Sequence, residues 1–340
     1  MVSSPAGQAE GQQAPGGPAD PGATAGTAGP GATAGTAGPG ATAGTAGTFA
    51  RARAEGRAVL IGYLPAGFPS RQGCVDAYSA MVEAGVDIVE VGLPYSDPLM
   101  DGPTIQAAVD SSLSAGIRTK DVLATVRAVS AYGAPALVMS YWNPIERYGV
   151  EAFAADLATA GGAGAITPDL TIEEAGDWLT AARSHELDTV FLVAPSSPPA
   201  RIDLVCRSCR GFVYAASTMG VTGARSAVGD RAQALVARTR EHTDLPVAVG
   251  LGVSSGEQAA EVAAFADGVI VGSAFVRRLL DAPDERAGIR AVEDLAAELA
   301  AGVRSSRGAA GGGAAGGGTA GGGTAGGHAT GGHTGNEVVR

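Results

Sequence analysis

The stretch that decides the fold is Asp-Ile-Val-Glu-Val-Gly-Leu-Pro-Tyr-Ser-Asp-Pro-Leu-Met-Asp-Gly-Pro, at residues 87–103. It begins as a short apolar run that contains Glu90, continues as a loop that contains Asp101, and leads into an Ala-rich segment with helical spacing at 104–115. A buried strand, a loop and a helix in this order predict one βα unit.

The same order recurs along the chain. Short β-branched or apolar runs lie at 58–63, 86–91, 135–140, 163–167, 188–194, 211–215, 246–250 and 267–271. Segments with helical spacing lie between nearly all of them, at 74–84, 104–115, 121–131, 150–160, 172–184, 230–241 and 256–264, and a last one follows at 284–302. Eight strands that alternate with helices over about 255 residues predict an α/β fold, a single (β/α)8 TIM barrel with extra helices. An open doubly wound sheet is disfavoured because Gly62 to Gly67 lacks the Gly-x-Gly-x-x-Gly spacing.

The two ends of the chain have a different composition from its centre. Three tandem copies of PGATAGTAG fill residues 21–47, and the end of the chain is mostly glycine, alanine and threonine. Such tracts have too few apolar side chains to offset the entropy of ordering. We therefore expect a disordered Pro/Gly/Ala/Thr repeat tail at 1–48, a catalytic barrel at 49–304 and a disordered Gly-rich tail at 305–340.

Charge and hydropathy exclude several classes of protein. The chain has 34 acidic and 23 basic residues, a net charge of −11, and no basic cluster, so nucleic acid is not an expected partner. No apolar run has the length of a membrane span, and the first residues lack the pattern of a signal peptide. A cytoplasmic protein without membrane contact is the expectation.

Lysine and histidine are too sparse for two common kinds of lyase site. The single lysine, Lys120, lies at a predicted helix start, which argues against a Schiff-base mechanism. Of the four histidines, His328 and His333 lie in the tail, and His185 and His242 lie at helix ends. The three cysteines include a Cys-x-x-Cys pair, but in a helical segment where shared burial explains the spacing. No metal site is expected, and acid–base chemistry by carboxylates remains.

In a barrel of this kind, functional groups lie at the carboxyl ends of the strands. Glu90 ends the second strand, Asp101 lies in the loop after it, and Tyr214 ends the sixth strand. Two carboxylates, one on a strand and one on a loop, suit a reaction that moves two protons. The structural alternative is that Glu90 caps a strand and Asp101 belongs to a turn.

Glycine-rich loops after the last strands indicate a phosphate site. Gly250-Leu251-Gly252 follows the seventh strand, Gly272-Ser273 follows the eighth and begins a helix, and Gly223 lies in the long loop after the sixth. Glycine permits close approach of the backbone, and a helix start offers free N–H groups. The alternative is that glycine is simply frequent at turns in a chain with 53 of them.

Several motifs resemble one family, the tryptophan synthase alpha chain, over about 250 residues. The most specific is the block from Glu90 to Gln106. The others, in the same order as in the family, are Tyr141-Trp-Asn-Pro-Ile, Tyr148-Gly149, Pro168-Asp169-Leu170, Val193-Ala-Pro195, Gly211-Phe-Val-Tyr214 and Gly220-Val-Thr-Gly223.

The resemblance implies cleavage of indole-3-glycerol phosphate to indole and glyceraldehyde 3-phosphate, without metal or organic cofactor. Glu90 and Asp101 are then the catalytic carboxylates, and Tyr214 lines the site and positions the substrate. The phosphate is expected on Gly223, Leu251, Gly252, Gly272 and Ser273. Thr222 is expected to bond Asp101 when the loops close, and the indole pocket to include Tyr63, Met139 and Ile166.

The resemblance also implies a partner, a pyridoxal-phosphate-dependent beta chain in an alpha2beta2 tetramer, and it has two local departures. Thr218 stands where many relatives have arginine, and Gly67-Phe68-Pro69 replaces a Gly-Asp-Pro motif. Three alternatives remain open from the sequence: a free-standing lyase that releases indole for a specialised pathway, another phosphate-binding barrel, and a non-catalytic scaffold assembled through its tails.

Overall fold

The structure is a computed structural model, and it describes residues 44–217 and 225–308. Most of both predicted tails therefore lies outside the described residues. So do Thr218, Thr222 and Gly223 of the loop after the sixth predicted strand.

The described residues form a parallel barrel surrounded by helices, as expected. Its strands are β1 Val59–Pro65, β2 Ile88–Gly92, β3 Ala136–Met139, β4 Gly164–Ile166, β5 Asp188–Val190, β6 Leu192–Val193, β7 Val213–Ala216, β8 Val247–Gly250 and β9 Gly268–Val271. The order in the sheet is β5-β4-β3-β2-β1-β9-β8-β7-β6, and all neighbouring strands are parallel. The two ends of this order, β5 and β6, are separated only by Phe191, so the sheet closes on itself. The single strand predicted at 188–194 is divided there, which gives nine described strands where eight were predicted.

Helices cover the outside of the sheet. They are α1 Ala46–Ala54, α2 Arg71–Glu83, α3 Pro103–Ser114, α4 Thr119–Ser130, α5 Trp142–Tyr148, α6 Val150–Thr159, α7 Gly176–Ser184, α8 Pro199–Ser208, α9 Arg225–Arg240, α10 Gly256–Ala263, α11 Ser273–Leu280 and α12 Glu285–Gly308. Two of these, α1 and α5, were not predicted. Within the described ranges, no helix is long and apolar enough to cross a membrane.

Strand side chains alternate between two buried layers. Both faces of β1 and β2 are fully buried, which explains why these strands are apolar throughout instead of alternating with polar residues. One set of side chains packs against the helices. The other set fills the barrel interior and consists mainly of Val59, Ile61, Ile88, Leu137, Ile166, Val190, Phe212, Ala248 and Ile270. Because successive side chains point to opposite faces, the residue two positions further along each strand also points inward.

The amino-terminal end of the barrel is closed by α1. Its Phe49 is buried and contacts the ring of Phe212, with ring centroids 5.4 Å apart. Just before the helix, the N–H and hydroxyl of Thr45 donate to the Asp188 carboxylate, at 2.7 and 2.8 Å. The described structure thus begins before residue 49, where the barrel was expected to start, because α1 packs Phe49 and Ala52 against the barrel interior.

Candidate active site

A cavity of about 270 Å³ opens at the carboxyl ends of the strands. Its lining residues come from most of the strands and the loops that follow them: Tyr63, Glu90, Leu93, Met100, Asp101, Ile105, Met139, Ser140, Tyr141, Pro168, Leu192, Tyr214, Ala216, Ser217, Gly250, Leu251, Gly252, Ile270, Gly272 and Ser273. The cavity residues Tyr63, Tyr214 and Gly272 lie two positions beyond Ile61, Phe212 and Ile270 of the interior. The floor of the cavity is therefore the last inward-facing layer of the barrel.

Glu90 is the buried carboxyl group of this cavity. Its side chain is 2% exposed, and its Oε1 has no hydrogen-bond partner among the described residues. Burial without a compensating partner disfavours the charged form, and it raises the pKa of Glu90 from 4.5 to about 8. At neutral pH this carboxyl group therefore carries a proton that it can release into the cavity.

Asp101 lies half-buried at the end of the loop that follows β2. Its Oδ1 accepts a hydrogen bond from the Tyr141 hydroxyl at 3.1 Å, and its backbone carbonyl accepts one from the Gln106 side chain at 2.7 Å. Burial raises the pKa of Asp101, and the hydrogen bond from Tyr141 acts in the opposite direction. The cavity therefore contains two carboxyl groups with different surroundings, a common arrangement in sites that use an acid and a base.

Two tyrosines flank the carboxyl groups, and each occupies space that a glycine provides. A Cβ atom on Gly92 would lie 2.5 Å from the Tyr63 hydroxyl, and one on Gly250 would lie 2.4 Å from the Tyr214 hydroxyl. Burial raises the pKa of both phenols far above the ordinary value, and the charge of Glu90 adds to this effect. Both tyrosines therefore remain neutral and can donate a hydrogen bond to a ligand.

The opposite side of the cavity is formed by backbone. Gly252 adopts a positive φ of 72°, a conformation that favours glycine, and Leu251 beside it is buried. Gly272 and Ser273 begin α11, which has no side-chain cap and no acidic residue in its first turn. Uncapped N–H groups at a helix start, next to a glycine loop, form a suitable binding site for a phosphate group.

The cavity brings together most of the residues singled out from the sequence. Met139 is among the lining residues. Ile166 is not among them: it is fully buried among the interior side chains. Its strand β4 ends at this residue, and Pro168, two positions further on, is the residue that reaches the cavity.

Strand positions could have indicated two lining residues that the sequence analysis did not assign to the cavity. Pro168 and Leu192 follow interior residues Ile166 and Val190 by two positions, so strict alternation predicts that they face the cavity. Tyr141 was noted only as part of a motif, and nothing in its spacing shows that its hydroxyl reaches the loop after β2.

Metal and thiol chemistry have no evident basis in the described part of the chain. No group of three or more His, Cys, Asp or Glu side chains there is arranged to hold a metal ion. Burial raises the pKa of the Cys74 and Cys209 thiols to about 12 and that of Cys206 to about 11. These thiols are therefore poor nucleophiles at neutral pH.

Comparison with known proteins identifies one family. A family model described as "Tryptophan synthase alpha chain" matches residues 49–304. A tryptophan synthase alpha chain from Thermobifida fusca is 60% identical over 260 residues, which are 76% of this chain and 96% of that protein. One from Streptomyces avermitilis is 61% identical over 256 residues, which are 75% of this chain and 92% of that protein.

Solved structures give the same result. A chain of Mycobacterium tuberculosis tryptophan synthase is 54% identical, superposes with a TM-score of 0.72, and matches over 77% of this chain and 99% of its own length. An alpha subunit from Legionella pneumophila, 30% identical, gives a TM-score of 0.69 over 76% of this chain and 97% of its own length. The chain therefore belongs to the tryptophan synthase alpha chain family.

Proposed function

We propose that the chain cleaves indole-3-glycerol phosphate to indole and glyceraldehyde 3-phosphate, without a cofactor of its own. Family membership makes it an enzyme subunit of tryptophan biosynthesis, and the lyase half-reaction is the finer assignment proposed here. The observation that carries it is Glu90: a buried carboxyl group, with no partner for its Oε1 among the described residues, in a cavity that Asp101, Gly252 and Gly272 also line.

Glu90 acts first as an acid in this proposal. It is protonated at neutral pH, since its pKa is about 8, and it transfers the proton to carbon 3 of the indole ring. The ring becomes a cationic indoleninium ion. The Glu90 carboxylate formed in this step then accepts the proton of the glycerol hydroxyl next to the bond that breaks.

Asp101 stabilises the intermediate. As a carboxylate, it accepts a hydrogen bond from the indole N–H, which becomes more acidic and more positive once carbon 3 is protonated. The carbon–carbon bond then breaks, its electron pair returns to the ring to regenerate indole, and the deprotonated hydroxyl becomes the aldehyde of glyceraldehyde 3-phosphate.

The remaining residues bind the substrate. The phosphate rests on backbone N–H groups at Leu251, Gly252, Gly272 and Ser273, with Gly223 contributing from the loop outside the described residues. Tyr63 and Met139 line the pocket for the ring, and Tyr214 positions the substrate. Thr222, outside the described residues, is proposed to bond Asp101 when the loops close.

The test is steady-state indole release from indole-3-glycerol phosphate by the full chain, beside Glu90→Gln and Asp101→Asn. Both variants should fold and lose most of their turnover. Near-normal turnover in both, with unchanged circular dichroism and thermal unfolding, would contradict the proposed mechanism.

The proposed partner is a beta chain that carries pyridoxal phosphate, in an alpha2beta2 tetramer located in the cytoplasm. Indole release should increase strongly when a cognate beta chain is added, and size-exclusion chromatography with light scattering should show the tetramer. Full activity of the chain alone, with no effect of the beta chain, would instead favour the free-standing lyase.

The proposed catalytic domain is 49–304, and the tails are proposed to be dispensable for chemistry. Because α1 and the Thr45–Asp188 contact belong to the ordered part, the trimmed protein should begin at residue 44. A 44–308 protein should retain the lyase activity of the full chain, whereas a scaffold assembled through its tails should lose its function.

A further inference from the structure

The side chain of Tyr141 lines the cavity and bonds to the loop that carries Asp101. It lies directly after β3, at the start of α5, and is 6% exposed. Its hydroxyl accepts a hydrogen bond from the Met100 N–H at 2.9 Å and donates one to Oδ1 of Asp101 at 3.1 Å. A single phenol group thus bonds two consecutive residues of the loop.

The ring of Tyr141 holds the same loop at a second point. It contacts the ring of Tyr95, which lies at the beginning of the loop, with centroids 5.6 Å apart. The neighbouring backbone is itself fixed, because the Trp142 N–H donates to the Asp169 carboxylate at 2.9 Å. Tyr141 is therefore a rigid support for a loop whose Leu99 and Met100 side chains are 78% and 58% exposed.

The two oxygens of the Asp101 carboxylate have different surroundings. Oδ1 accepts the bond from Tyr141, whereas Oδ2 has no hydrogen-bond partner within residues 44–217 and 225–308. Within the same ranges, no arginine or lysine forms an ion pair with Asp101. The other titratable groups near it are Glu90 on β2 and Tyr63 on β1, whose pKa is raised by burial and further by the charges of Asp101 and Glu90.

We propose that Tyr141 is a positioning residue for Asp101: its hydroxyl fixes Oδ1 and directs Oδ2 into the cavity, toward the substrate N–H. This inference rests on the proposed lyase function. The N–H of Met100 polarises the hydroxyl and makes it a better donor to the carboxylate. Tyr141 thereby maintains Asp101 in its ionised form, in addition to setting its orientation.

The direct test is titration of Asp101 in the ligand-free full chain. Carbon-13 NMR of aspartate-labelled protein follows the carboxyl signal, which is assigned by its loss in Asp101→Asn. In Tyr141→Phe the midpoint should rise by about one pH unit, since a hydrogen bond to a charged group has about the free energy of such a shift. The Met100 amide should also exchange faster with solvent, because its acceptor is gone.

Indole release provides the second readout. With Tyr141→Phe, kcat/KM should fall by about tenfold at neutral pH, and the acidic limb of its pH profile should move upward with the Asp101 midpoint. A role limited to packing would leave this limb in place, since phenylalanine preserves the ring.

Tyr148→Phe is the matched control. Tyr148 lies at the other end of α5 and donates to Asp156 at 2.6 Å, outside the cavity. This variant should change neither the Asp101 titration nor kcat/KM.

An unmoved Asp101 midpoint in Tyr141→Phe overturns the inference, as does unchanged kcat/KM in an active enzyme. If the unsubstituted chain releases no indole, the proposed function fails instead, and the NMR titration still decides the role of Tyr141.

Discussion

Glu90 and Asp188 are both buried carboxyl groups on barrel strands, but they lie at opposite ends of the barrel and have opposite surroundings. Glu90, near the carboxyl end of β2, is 2% exposed and has an oxygen without a partner. Asp188, the first residue of β5, is 3% exposed and accepts two hydrogen bonds from Thr45, with Arg210 at 3.7 Å.

This difference in surroundings distinguishes a carboxyl group that holds the fold together, Asp188, from one that is available for proton transfer, Glu90. Asp188 binds the segment before α1 to the barrel; burial raises its pKa, and the hydrogen bonds from Thr45 and the charge of Arg210 act in the opposite direction. Glu90 lacks this compensation, which is energetically unfavourable for the fold but maintains a proton that the cavity can use. Substitutions at the two positions should therefore affect different measured properties.

The largest expected effect is on catalysis by Glu90→Gln. Loss of the buried carboxyl group of the described cavity should lower kcat for indole release by about 10⁴-fold, at the upper end of the usual range for acid–base groups. Steady-state kinetics at pH 7 checks this, with thermal unfolding as the control for folding. A loss below tenfold would show that Glu90 is not the acid.

The second effect concerns how the free energy of unfolding depends on pH. The pKa of Glu90 is raised from 4.5 to about 8, so the folded state retains a proton that the unfolded state releases between these values. Below pH 4.5 the protonated Glu90 makes its full contribution to the free energy of unfolding, and this contribution is lost as pH rises to 8.

Glu90→Gln removes this dependence. The stability of the variant relative to the unsubstituted chain should therefore increase by on the order of 4 kcal/mol from pH 4.5 to 8, at about 1.4 kcal/mol per pH unit. Denaturant unfolding at several pH values measures the difference. A constant difference across this range would mean that Glu90 titrates normally.

The third effect tests the other carboxylate. Asp188→Ala leaves the N–H and hydroxyl of Thr45 without their acceptor, and the free energy of unfolding should fall by about 3 kcal/mol. The folded fraction should keep its kcat/KM for indole release within about twofold, because Asp188 lies away from the cavity. Loss of turnover without loss of stability would show that Asp188 contributes to catalysis and not to the fold.

The smallest effect concerns the space that glycine provides beside Tyr214. In Gly250→Ala the new methyl group would lie 2.4 Å from the Tyr214 hydroxyl, so the ring must move and kcat/KM should fall by about tenfold, or about 1.4 kcal/mol. Gly176→Ala is the matched control, since a Cβ there meets nothing within 4 Å. Equal kinetics of the two variants would show that the position of Tyr214 is not important.

The fold could be predicted from the sequence because local pattern and tertiary structure agree in it. Strands such as β1 are apolar throughout, and most helices begin within a few residues of their predicted starts. The pattern did not show α1 or α5. Helix α1 follows a Gly/Ala/Thr repeat of low hydropathy, and it is ordered by contacts of Thr45 and Phe49 with distant residues.

Residues of the candidate site that lie at the ends of strands could be predicted from the sequence. How deeply a residue is buried in the barrel could not. Glu90, Asp101, Tyr214 and the glycine loops after β8 and β9 all reach one cavity, because parallel strands end on the same side. Ile166 is fully buried among the interior side chains, and Pro168, two positions further on, lines the cavity. The bond between Tyr141 and Asp101 joins residues 40 positions apart, and sequence spacing contains no information on it.

The short strand after Phe191 has a consequence for how the molecule opens. Strand β6 pairs with β7 through only two register positions, Leu192 with Tyr214 and Val193 with Ala215, and the first pair also lines the cavity. This β6–β7 seam has the fewest register positions of the described strand pairs, and it forms part of the cavity wall. We expect the earliest local opening of the barrel there, so that ligand binding should slow amide hydrogen exchange at this seam more than anywhere else in the sheet.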